Sequence, residues 1–119
     1  MVHIRRIDEM ASQTPKASEV YDKVVKGCSP FELRAKRRSD NKLYGFFRFE
    51  SAISNLNPIV DVTFDKRTDE IYSVVLYKST YNPRNRDGKS IKDVRSRTAD
   101  EIANEIINYI EGKPLTICN

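Results

Sequence analysis

Apolar positions recur along the chain with two different periods, and each change of period marks a new element. Ala17, Val20, Tyr21, Val24 and Val25 follow the three-to-four-residue spacing that gathers them on one helical stripe. Thr14-Pro15 ahead of them reads as a cap followed by a first-turn proline, and Gly27 as the stop. A second stripe, Ile102, Ile106, Ile107 and Ile110, follows Thr98-Ala99-Asp100-Glu101. That spacing is a capping box: the Thr98 hydroxyl accepts from a first-turn amide while the Glu101 carboxylate reaches back to the amide of the cap. Gly112 and Pro114 then end the helix.

Between the helices the period falls to two. Phe31, Leu33 and Ala35 alternate with Glu32, Arg34 and Lys36, the pattern of a strand with one wet face. Ser39-Asp40-Asn41-Lys42 is turn chemistry, because Asp and Asn bond their own backbone and tolerate left-handed conformations. On the returning strand Leu43, Phe47 and Phe49 fall on one face, and Tyr44, Phe46 and Arg48 on the other. Residues 58–65 and 70–79 repeat the alternation around a polar Lys66-Arg67-Thr68-Asp69 turn, which predicts a second hairpin. Thr80 to Arg97 shows neither period and is longer than an ordinary connection.

These elements predict an α+β fold. Its parts are an N-terminal helix, a four-stranded antiparallel sheet of two hairpins, a long basic loop, and a C-terminal helix packed on one sheet face. A chain of 119 residues suits one domain over 1–119, with 1–13 and 80–97 as the expected flexible segments. Charged residues at 32% and hydrophobic ones at 39%, with four Gly and five Pro, describe a globular chain rather than a disordered one. No internal repeat is visible.

The opening MVHIRRIDEMAS mixes Arg5, Arg6, Asp8 and Glu9 where a signal peptide needs an unbroken apolar run. The apolar run Ile71 to Tyr77 is interrupted by Ser73 and falls far short of the ~20 residues that span a bilayer. The expectation is therefore an intracellular, cytoplasmic protein without a membrane partner. Cys28 and Cys118 are then reduced thiols. A bridge between them would instead imply secretion and would close nearly the whole chain, worth ~4 kcal/mol on the chain-entropy model.

Charge is unevenly spread around the net +4. The first hairpin and the long loop are basic, the last helix acidic. With Leu33 and Ala35 inward, Arg34, Lys36 and Arg38 face outward beside Tyr44, Phe46 and Arg48. Cations that track phosphates next to rings that stack bases are what a single-strand platform requires. Arg84, Arg86, Lys89 and Lys92 in the long loop are placed to close over a bound backbone. The competing account is a solvated hairpin whose basic residues deter edge-to-edge pairing.

Catalytic chemistry finds little support. His3 is the single histidine, which leaves triads, His-based acid–base pairs and zinc sites without their parts. Asp61 and Asp65 share a strand face and are the best acidic pair for a divalent cation, although two carboxylates beside a turn more often serve as surface charge. Pro58-Ile59-Val60-Asp61 followed by Leu76-Tyr77-Lys78 resembles the core of restriction-endonuclease-like nucleases, with Leu76 standing where that pattern has a second acid. VDVTFDKRTDEIYSVVLYKS resembles the late paired strands of microbial guanyl-specific ribonucleases over one hairpin, with Tyr77 near the position of the late histidine. That second resemblance implies a catalytically silent, RNA-binding or effector relative.

The sequence thus leads to a non-enzymatic binder of single-stranded DNA or RNA, without cofactor or metal. Its alternative is a protein-binding inhibitor or effector-type module of a virus or pathogen. Either is compatible with a homodimer.

Overall fold

A computed structural model describes residues 14–28, 33–38, 43–52, 58–78 and 88–118. In chain order they form helix α1 (Ala17–Gly27), strands β1 (Leu33–Arg38), β2 (Tyr44–Ser51), β3 (Pro58–Asp65), β4 (Ile71–Lys78) and β5 (Lys89–Ser90), a 3-10 turn (Val94–Ser96) and helix α2 (Ala99–Glu111). The sheet is a five-stranded antiparallel meander in the order β1-β2-β3-β4-β5. The fold is α+β.

One strand more is present than the periodicity predicts. Lys89 and Ser90 pair with Leu76 and Val75, and the Ile91 amide continues the ladder to the Val74 carbonyl at 3.1 Å. Ile91 and Val94 are buried, so the last third of the expected loop is anchored by two apolar side chains. Two such residues three apart are too short a pattern to register as an element. Residues 79–87 and 1–13 lie outside the described residues.

Both helices lie on one side of the sheet. Val20 and Val24 of α1 and Ile102, Ile106 and Ile110 of α2 meet Phe47, Phe49, Val60, Val62, Val74 and Leu76 in one core cluster. Strand parity explains the selection: in β2 Phe47 and Phe49 are buried while Phe46, Arg48 and Glu50 between them are only half-buried. Leu43 departs from the expected inward set. It precedes β2 and is 67% exposed, since the core does not extend that far along the sheet. Val25, expected on the α1 stripe, is likewise exposed.

Gly27 is the last residue of α1, at the expected stop, and it has a second task. A Cβ there would come within 2.4 Å of Ile107 Cδ1, so its absence lets α1 approach α2 closely. Cys28 is the C-cap that follows, with an extended backbone and an amide that still bonds the Val24 carbonyl. By contrast Gly112 ends α2 in the left-handed conformation, at φ 75°, as expected.

The caps of the two helices differ in origin. Thr98 accepts from the Glu101 amide at 3.1 Å and Glu101 Oε1 accepts from the Thr98 amide at 3.3 Å, which completes the local capping box. Thr14 does not cap α1. The Pro15 carbonyl is drawn into pairing with the start of β4, where it accepts from the Ile71 amide, and Lys16 takes the cap position without a side-chain bond. Asp69, in the β3–β4 turn at φ 64°, supplies the missing acceptors: its carbonyl takes the Ala17 amide at 2.7 Å and its carboxylate the Ser18 amide at 3.0 Å.

A buried carboxylate fixes the C-terminal segment. Glu105 is 1% exposed and accepts the Thr116 amide at 2.9 Å and the Ile117 amide at 2.6 Å. Ile91 and Cys118 form an isolated bridge beside it. Burial, reinforced by the Glu105 carboxylate, pushes the Cys118 thiol up to about 12. Cys118 and Cys28 are both unbridged.

Candidate nucleic-acid interface

The side of the sheet away from the helices carries Arg34, Lys36, Tyr44, Phe46 and Arg48. Across β1 and β2, Arg34 faces Glu50, Lys36 faces Arg48, and Arg38 sits opposite Phe46. Across β2 and β3, Tyr44 faces Asp65, Phe46 faces Thr63, and Arg48 faces Asp61. The β1 edge of this face is basic, with Arg34 and Lys36 exposed, and Lys36 is the diagonal neighbour of Phe46. Tyr44 is 42% exposed, while Phe46 is half-buried. The expected sidedness of the first hairpin is therefore present, and it arises from strand parity.

Arg48 is not a free cation. Its Nε donates to Asp61 Oδ1 at 2.8 Å and its Nη2 to Asp61 Oδ2 at 3.2 Å. Tyr77 from β4 completes the set: its hydroxyl donates to Asp61 Oδ2 at 2.7 Å and accepts from Arg48 Nη2 at 3.0 Å. Arg48 and Asp61 retain only 26% and 25% side-chain exposure, so the pair is substantially shielded. The carboxylate bond holds the Arg48 guanidinium more firmly protonated. Burial, and then the bond to Asp61, push the Tyr77 hydroxyl up to about 12. Ile59, facing Glu50 on one side and Tyr77 on the other, is 8% exposed and gives this end of the face an apolar floor.

A second aromatic pair lies at the opposite end. The Tyr44 and Tyr72 rings meet edge to face, with centroids 5.4 Å apart. The Arg95 guanidinium lies 5.5 Å from the Tyr72 centroid and its Nη2 is 3.4 Å from Glu70 Oε2. Tyr72 and Arg95 escape a sequence reading because a register shift in β4 and the 3-10 turn bring them to this corner.

The loop cations are not gathered here. Lys89 pairs with Leu76, a core residue, so parity sets its side chain on the helix-bearing side. The Lys92 amide bonds the Ile117 carbonyl, which ties that position to the C-terminal segment. Arg84 and Arg86 lie outside the described residues.

The two carboxylates weighed as a metal pair are separated in function. Asp61 serves Arg48 and Tyr77, whereas Asp65 Oδ1 accepts the Arg67 and Thr68 amides at 2.7 and 3.2 Å and closes the turn. Those amides hold the Asp65 carboxyl below its ordinary range. Among the described residues no group of three His, Cys, Asp or Glu side chains converges. The nuclease-like reading fails on geometry: Asp61 is on the helix-free face, and Leu76 is in the core on the other. No helix among the described residues is long and apolar enough to cross a membrane.

Comparison with family models, with curated proteins and with solved structures gives no match. The chemistry of this face has to carry the functional reading.

Proposed function

We propose that the helix-free face binds single-stranded DNA or RNA without an enzymatic step. The supporting observation is the placement of Phe46 and Tyr44 in one row on β2 beside the exposed Arg34 and Lys36 of β1. Phosphates would follow the β1 edge while bases stack on the rings, a sequence-tolerant mode of binding. Arg48, held by Asp61 and Tyr77, then acts as a rigid centre with its charge largely compensated. The corner of Tyr44, Tyr72 and Arg95 extends the stacking surface.

The test is oligonucleotide binding as a function of salt. Arg34→Glu with Lys36→Glu should lower affinity for all sequences alike and flatten the salt slope by about two phosphate contacts. Tyr44→Ala with Phe46→Ala should weaken binding by ~2–6 kcal/mol, because each stacked base contributes roughly 1–3 kcal/mol. A parent protein that binds no oligonucleotide at low salt would overturn this reading and favour a protein partner for the same face.

A further inference from the structure

The inward positions of β1 run Leu33, Ala35, Arg37, and the last puts a cation where the alternation asks for an apolar side chain. Arg37 is exposed, with its guanidinium carbon 4.9 Å from the Tyr21 ring centroid and 5.1 Å from that of Phe47. The rings form a row: Tyr21 to Phe47 is 4.7 Å and Phe47 to Phe64 is 4.8 Å between centroids. Beside the row opens a cleft of about 230 Å³, whose lining includes Arg37, Gly45, Phe46, Phe64, Lys66 and Asp69. It opens on the helix-bearing side, and of the residues assigned to the other face only Phe46 of β2 borders it.

We propose that this cleft binds a nucleoside monophosphate unit, with its phosphate between Arg37 and Lys66 and its base against Phe64. Three observations converge on that ligand. First, a guanidinium already stacked on two rings is pre-ordered, so gripping a phosphate with its edge costs little further entropy. Among the described residues no carboxylate pairs with Arg37. Second, the Phe64 ring is half-buried, stacked on Phe47 on one side, and reaches over residue 45, where a Cβ would come within 2.8 Å of Phe64 Cζ. Third, at about 230 Å³ the cleft lies below the about 300–1,000 Å³ common for small-molecule sites, so it leaves room for no more than one such unit, part of it open to solvent. The Asp69 carboxylate at its margin is occupied by the Ser18 amide and hydroxyl. Two sources share this chemistry: a free nucleotide and the phosphorylated end of a strand.

Titration of the full chain with adenosine 5′-monophosphate, followed by amide chemical shifts, tests the proposal. Saturable shifts should centre on Arg37, Gly45 and Phe64. Arg37→Gln should weaken binding by about tenfold or more, the size expected for one charge-assisted contact, with the thermal midpoint checking that the fold persists. Lys66→Gln provides a second variant should that one unfold, with the same loss expected. Inorganic phosphate or adenosine binding as tightly as the nucleotide would overturn the proposal, as would affinity unchanged in both variants. A 5′-phosphorylated oligonucleotide that displaces the nucleotide where its 5′-hydroxyl counterpart does not would identify a strand end as the source; equal displacement by neither would identify the free nucleotide. Arg34→Glu with Lys36→Glu should leave nucleotide binding intact, which separates failure here from failure of the sheet-face reading.

Discussion

Arg48 Nε lies 2.8 Å from Asp61 Oδ1, so the cation at the centre of the helix-free face is neutralised by the strand next to it. Replacing Asp61 by Asn should uncover that charge. Oligonucleotide affinity at low salt should rise and the salt slope should steepen by about one contact. Stability should fall by ~1 kcal/mol, since the pair is bidentate but partly in water. Equal salt slopes in parent and variant would show that Arg48 stays out of reach of phosphate.

Tyr77 should titrate late. Its folded pKa of about 12 lies above the ordinary 10.0, so the neutral hydroxyl is the form the fold favours. The stability this contributes is fully present below pH 10 and is lost as pH rises toward 12. Tyrosinate absorbance across that range should show a late step that vanishes in Tyr77→Phe. The same variant should lose less stability between the two pH values than the parent does.

Asp69 caps a helix 51 residues away in sequence, through the Ser18 amide. Asp69→Ala removes the carboxylate acceptor and also places alanine at a positive φ, so it should cost about 1–3 kcal/mol in denaturant titration. Asp69→Asn keeps an acceptor and tolerates the backbone, and most of the loss should be restored. Thr98→Ala, which breaks the local cap of α2, should cost about 1 kcal/mol.

Glu105 holds the chain end by two backbone amides in a buried setting. Glu105→Ala would orphan both donors, at a cost of roughly 2–4 kcal/mol. Hydrogen exchange should accelerate first at Thr116 and Ile117. Unchanged protection there would show that the segment is held by Ile91 and Cys118 rather than by the carboxylate.

Strand alternation, the second helix with its capping box and left-handed glycine, and the inward choice of Phe47 and Phe49 could all be read from residues close together in the chain, because each depends on a local period or a local hydrogen bond. So could the sidedness of β1 and β2 that sets Arg34 and Lys36 beside Phe46. Three-dimensional pairing decided the rest. Arg48 meets Asp61 and Tyr77 only through the registers of three strands, and nothing within any one strand specifies which neighbour will stand opposite. The cap of α1 moved from Thr14 to Asp69 because the backbone of Pro15 is taken by β4. β5 exists because Ile91 and Val94 find a place in a core already built, and Arg37 gains its rings from a helix and a strand that the alternation of β1 does not reveal.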